Sequence, residues 1–101
     1  MNLDPRKVAE VDRLIHEPAR LMIVTILSAV ESADFLYLQR ETGLTKGNLS
    51  SHLSRLEAAG YIEIQKTYRG KIPLTVCSLN DTGHKAFQEY RHQLKYIVEN
   101  T

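Results

Sequence analysis

The sequence predicts a mainly α fold carrying one small β-hairpin, an α+β arrangement in a single domain over residues 1–101. Three observations carry this. Apolar residues recur at helical spacing through the first sixty residues and again after residue 80, marking each helix by a stripe that can be buried. Between those stretches the pattern switches to alternation, with Ile62 and Ile64 and later Thr75, Cys77 and Leu79 on one side of extended chain. The length, 101 residues, suits one modest core and is too short for two.

The N-terminal segment, residues 1–17, sets Leu3, Val8, Val11, Leu14 and Ile15 among charged residues, a weakly amphipathic helix that begins after Pro5. Pro18 then marks a junction at His16-Glu17, because proline is tolerated in a first helical turn and not inside a helix. From Pro18 to Val30 the apolar positions Ala19, Met22, Ile23, Ile26, Leu27 and Val30 trace a broad face, so this segment is the central core helix. Glu31-Ser32-Ala33-Asp34 is a polar break. Phe35 and Leu38 either anchor the next helix or, for Phe35, end a short extended segment that pairs with the later hairpin.

Residues 36–60 contain two short helical patterns joined at Thr42-Gly43-Leu44-Thr45. Thr45 is suited to cap the second helix, since its hydroxyl can accept from an unpaired amide of the first turn, and Gly60 suits a left-handed stop. Leu49, Leu53 and Leu56 fall on one stripe, while Lys46, Gly47, Asn48, Ser50, Ser51 and Arg55 lie on or beside the other face. A solvated helix surface ordinarily carries long Glu and Lys side chains. Gly, Asn and Ser are not selected by helix propensity, and their shortness admits a close approach by a nucleic-acid backbone or base edge.

The hairpin spans residues 61–79, with a basic turn Lys66-Thr67-Tyr68-Arg69-Gly70-Lys71-Ile72-Pro73 and glycine at its tip. A final helix over residues 80–99 starts at Asn80, a good cap, with Asp81 where the helix dipole favours negative charge. Its apolar stripe, Phe87, Tyr90, Leu94 and Ile97, is narrow. It either pairs with a second copy or covers the chain's own core.

The runs Leu44-Thr45, Leu49-Ser50-Ser51-His52-Leu53, Leu56-Glu57 and Ala59-Gly60-Tyr61-Ile62 resemble the helix-turn-helix signature of winged-helix transcriptional regulators of the MarR and ArsR type. The resemblance extends over roughly residues 18 to 100. Gln39 stands where a small alanine is usual and Thr42 where an aliphatic residue is usual. The resemblance implies a winged helix-turn-helix with terminal helices for dimerisation, acting on double-stranded DNA as a homodimer. It assigns Thr45, Lys46, Gly47, Asn48, Ser50, Ser51 and Arg55 to a recognition helix and Lys66, Tyr68, Arg69 and Lys71 to a DNA-contacting wing. Val8, Val11, Phe87, Tyr90, Leu94 and Ile97 would then form the dimer interface. A histidine at position 52 is common in that family and points to packing or a phosphate contact.

Other classes find little support. The net charge of +1 gives no bulk argument for nucleic acid and keeps a protein-binding adaptor as the alternative. Yet residues 40–71 hold Arg40, Lys46, Arg55, Lys66, Arg69 and Lys71 against Glu41, Glu57 and Glu63, a local positive excess. Cys77 is the single cysteine, so neither a disulfide nor a thiolate-rich metal site is available. His84 and His92 lie roughly eighty degrees apart around the last helix, not on one metal-binding face. No phosphate loop, nucleophile elbow or paired-carboxylate motif suggests catalysis, so no enzyme activity, cofactor or metal is expected. The longest apolar run, Leu21 to Leu27, is far shorter than the roughly 20 residues of a membrane span, which leads to a cytoplasmic expectation with no membrane partner. An effector ligand is not identified.

Overall fold

The computed structural model describes residues 2–101, and Met1, the first residue of the N-terminal segment 1–17, lies outside the described residues. A short 3-10 helix, Pro5–Glu10, is followed by α1 (Pro18–Ser28), β1 (Ala33–Asp34), α2 (Phe35–Thr42), α3 (Lys46–Ala58), β2 (Ile62–Arg69), β3 (Ile72–Leu79) and α4 (Asp81–Glu99). The strands form one antiparallel sheet in the order β1-β3-β2, with Ala33 opposite Cys77 and Ile62 opposite Leu79. Of its two sequence readings Phe35 takes the first, beginning α2; the short extended segment exists and pairs with the hairpin, but it ends one residue earlier, at Asp34.

The main core brings together Ile23, Val24 and Leu27 of α1, Leu38 of α2, the α3 leucines, and Ile62, Cys77 and Leu79 of the sheet. Leu49, Leu53 and Leu56 are 0%, 2% and 0% exposed. Burying each contributes roughly 2 kcal/mol, enough for this stripe to dictate how α3 is rotated. Thr45 caps α3 by accepting from the Asn48 amide at 3.2 Å. Asn80 caps α4 by accepting from the Gly83 amide at 2.8 Å.

Two elements differ from the sequence reading. The helix expected over residues 1–17 is only a short 3-10 helix, Pro5–Glu10, followed by irregular chain, because the Asp12 carboxylate accepts from the Leu14 and Ile15 amides at 2.8 and 3.2 Å. Such side-chain bonding to nearby amides competes with helix propagation. In α1 the buried face is rotated from the expected one. Ala19, Ile23 and Leu27 are buried together with Arg20 and Val24, whereas Met22 and Val30 are exposed, Val30 because the helix has already ended.

A second, smaller core joins the N-terminal segment to the last helix. Val11 and Ile15 pack on Tyr90, with Phe87, Leu94 and Ile97 of α4 around them. Two polar ties secure it: the Tyr61 hydroxyl donates to Asp12 Oδ2, and the Tyr90 hydroxyl lies 2.7 Å from His16 Nδ1. Burial and the adjacent Asp12 carboxylate push the Tyr61 phenol up to about 12.

The joint between β2 and α4 is close-packed around Gly83. A Cβ there would lie 2.1 Å from the Tyr61 carbonyl oxygen and 2.6 Å from Leu79 Cδ1, while Asn80 Nδ2 donates to the Gly60 carbonyl at 2.8 Å. Gly83→Ala should lower stability by about 2–4 kcal/mol in urea unfolding, since backbone has to move to admit the methyl group. Gly47→Ala, whose added carbon meets nothing within 4 Å, should be neutral or stabilising by up to about 1 kcal/mol. The Cys77 thiol, 0% exposed, is pushed up to about 11 by burial and then by Glu57. Its contribution to stability is whole below the ordinary thiol value of 9.0 and is lost as pH rises toward about 11. Alkylation at pH 8 should accordingly be slow in the folded chain and rapid in urea.

Candidate nucleic-acid interface

Because the leucine stripe is turned inward, Lys46, Gly47, Asn48, Ser50, Ser51 and Arg55 are all exposed. The turn ahead of them is set by Gly43, left-handed at φ 71, and by Thr42, whose hydroxyl donates to the Leu38 carbonyl at 2.7 Å and accepts from the Leu44 amide at 3.3 Å. Threonine in place of an aliphatic residue at this position thus closes the turn by hydrogen bonding. Gln39, the other departure from the family pattern, is half-buried at the edge of a groove beside α3.

That groove, about 1030 Å³, runs between α3 and the hairpin, with Lys46, Ser50 and Ser54 on one wall and Lys66 and Arg69 on the other. The structure therefore splits the sequence-predicted contacts. Lys46 and Ser50 face the hairpin, while Asn48 and Arg55, about 160° and about 140° round the helix from Ser50, occupy the opposite flank, and Gly47 and Ser51 lie at the crest between them. Ser54, on the hairpin side, was not singled out in the sequence. Its offset of four from Ser50 is the signal that places it there.

The basic segment is not a loop. Lys66, Tyr68 and Arg69 belong to β2, which continues to Arg69 opposite Ile72, and the turn is only Gly70-Lys71. Gly70, at φ 62 in the first turn position, fits the tight two-residue connection that matches strand twist. Polar and aromatic strand residues hide the turn boundary in a sequence, since they suit either state. Tyr68 is 71% exposed and Ile72 65% exposed, so the hairpin projects from the body instead of folding onto it.

Among the described residues, Lys46, Arg55, Lys66, Arg69 and Lys71 have no ion-pair partner, whereas Arg40 pairs with Glu41 at 4.0 Å and lies over the Tyr37 ring. Unpaired exposed cations on a helix and an adjacent hairpin are available to phosphates without first breaking an internal bond.

The predicted dimer residues are distributed differently. Val11 and Tyr90 are already buried in the chain's own second core, and Phe87, Leu94 and Ile97 partly cover it. Val8 is 47% exposed. The sequence missed Glu17 and Arg20. Glu17 caps α1 by accepting from the Ala19 and Arg20 amides, and Arg20 is buried against His52 of α3. The available signal was a cation standing on the stripe that continues through Ile23, Val24 and Leu27. Among the described residues no cluster of His, Cys, Asp or Glu could hold a metal ion, and no helix is long and apolar enough to cross a membrane.

Residues 19–98 match the protein family described as a winged helix DNA-binding domain. The uncharacterized protein MJ0432 of Methanocaldococcus jannaschii is 29% identical over 89 residues, covering 87% of this chain and 96% of that protein. Among solved structures, the transcriptional regulator homologue protein from Pyrococcus horikoshii OT3 superposes with a TM-score of 0.87 at 28% identity, over 93% of this chain and 95% of that one. HlyU from Vibrio cholerae has a TM-score of 0.67 at 23% identity, over 93% and 97%, a likeness of fold.

Proposed function

The chain belongs to the winged helix DNA-binding domain family, whose members are not enzymes, and from that premise we propose that it is a sequence-specific transcriptional regulator of the cytoplasm that occupies operator DNA as a homodimer. The observation that carries this reading is the exposed Lys46 to Arg55 face of α3 set beside a projecting basic hairpin. Docked in a major groove, α3 presents Asn48, Ser51 and Arg55 to base edges, where Asn48 can pair with adenine through two bonds. Thr45, Lys46, Gly47 and Ser50 approach the backbone, and Lys66, Tyr68, Arg69 and Lys71 form a wing that neutralises neighbouring phosphates. Regulation follows from occupancy, by blocking or aiding polymerase.

A homodimer is supported by shape and by residual apolar surface. The chain measures 58 × 26 × 21 Å with a radius of gyration of 15.3 Å, against about 13 Å for a compact chain of this length. Val8 of the N-terminal turn and Tyr96 and Val98 of the last helix stay 47%, 47% and 66% exposed. Pairing through these ends would bury them and extend the interface from the partly covered Phe87, Leu94 and Ile97 around the Tyr90 core. Two recognition helices then meet half-sites about one helical turn apart.

Duplexes selected by the purified chain from random sequence should converge on a palindromic motif. In anisotropy on that duplex, Ser51→Ala with Arg55→Ala should weaken specific binding by about 10- to 100-fold, because each lost base contact costs about 1–3 kcal/mol. Lys66→Ala with Arg69→Ala should instead weaken all sequences alike and lower the slope of log K against log salt by about 2. Binding of a protein partner with no salt-sensitive DNA affinity would select the adaptor alternative.

A further inference from the structure

We infer that Arg20 is a positioning residue for DNA binding: it holds His52 in the tautomer whose Nε2–H is left free, as a hydrogen-bond donor to a phosphate oxygen on the α3 flank away from the hairpin. This rests on the DNA-binding reading above.

Arg20 is 7% exposed and lies on the buried stripe of α1. Its Nε donates to the Leu14 carbonyl at 2.6 Å, and its NH1 lies 3.0 Å from His52 Nδ1. A guanidinium has donors only, so the imidazole must accept at Nδ1 and carry its proton at Nε2. Glu17 does not displace this arrangement. Its Oε2 accepts from the Arg20 amide at 2.9 Å and lies 3.8 Å from both Arg20 NH1 and His52 Nδ1, beyond hydrogen-bond distance.

The His52 side chain is 21% exposed and, among the described residues, its hydrogen bond is made at Nδ1; since no buried side-chain nitrogen or oxygen is left without a partner, the unbonded Nε2 is open to solvent. The ring follows Asn48 by four residues and precedes Arg55 by three, so all three share one helix flank. An oriented N–H on that flank suits a backbone phosphate, the kind of contact that fixes register without reading sequence. Completing the Ile23, Val24, Leu27 stripe with an apolar residue would avoid burying a charge. A guanidinium in that place gains what no apolar residue can supply, a fixed link from the core helix to the protonation state of a side chain on α3.

Nitrogen-15 spectra of the free chain should show His52 protonated at Nε2, and Arg20→Met should mix the two tautomers. On mixed-sequence duplex DNA, Arg20→Met and His52→Asn should each weaken binding by about tenfold, the worth of one hydrogen bond to a charged group. The slope of log K against log salt should stay unchanged in both, because a neutral imidazole donates to a phosphate without neutralising it. His52→Asn keeps an acceptor near the Nδ1 place, whereas His52→Gln sets an amide donor near Nε2. His52→Gln should therefore bind more tightly than His52→Asn. A His52 proton on Nδ1, or a tautomer unchanged in a folded Arg20→Met, overturns the hold of Arg20 on the ring. Should Arg20→Met not fold, the wild-type tautomer and the ranking of the two His52 variants decide the matter. Binding by His52→Asn as tight as by His52→Gln overturns the donor role alone. Failure of the unaltered chain to bind DNA overturns the DNA-binding reading and the donor role together, while the tautomer in the free chain remains a separate measurement.

Discussion

Burial of Leu49, Leu53 and Leu56 is the constraint on which the rest of the molecule depends. A helix has one rotational freedom about its axis once its ends are fixed, and three leucines seated among α1, α2 and the sheet remove it. The opposite face then has no choice of direction. Thr45 and Gly60 set where the helix begins and stops, so both the rotation and the length of the presented surface are determined by side chains that never meet a ligand. Small polar residues on that surface cost helix propensity, and tertiary burial supplies what propensity withholds.

The hairpin is placed by a different device. Tyr61 and Gly83 meet at a joint where no side chain fits, and Asn80 ties the carbonyl of Gly60 to the first turn of α4. This joint passes from the end of α3 to the start of β2 and the start of α4 at once. The hairpin direction relative to α3 is therefore inherited from backbone packing, leaving the exposed strands free to carry charge. A bulk charge of +1 is compatible with this, because the cations on α3 and the hairpin are unpaired while several acidic groups elsewhere are engaged, Glu17 in capping α1 and Asp12 in the N-terminal turn.

The second core changes how the terminal segments are understood. Asp12 breaks the chain that would have become an N-terminal helix and, in doing so, lays Val11 and Ile15 across Tyr90. A narrow apolar stripe on α4 is thereby partly used within one chain. Val8 of the N-terminal segment and Tyr96 and Val98 of α4 remain exposed, so an interface through these elements would be sensitive to how the N-terminal segment is laid down.

The sequence by itself determined the leucine stripe of α3, the caps at Thr45 and Asn80, the alternation that makes two strands, and the resemblance carried by residues 44–62, because each of these depends on neighbours within a few positions. It could not place Gly83, whose need for a missing Cβ comes from Tyr61, twenty-two residues away, nor distinguish the buried Val24 from the exposed Met22, which depends on what surrounds α1. Nor could it assign Arg20, a cation that local pattern reads as solvated and that only the approach of His52 makes a buried donor. Tertiary structure decided these because burial and hydrogen-bond geometry are properties of pairs brought together by the fold, and a charge on an apolar stripe has no meaning until its partner is known.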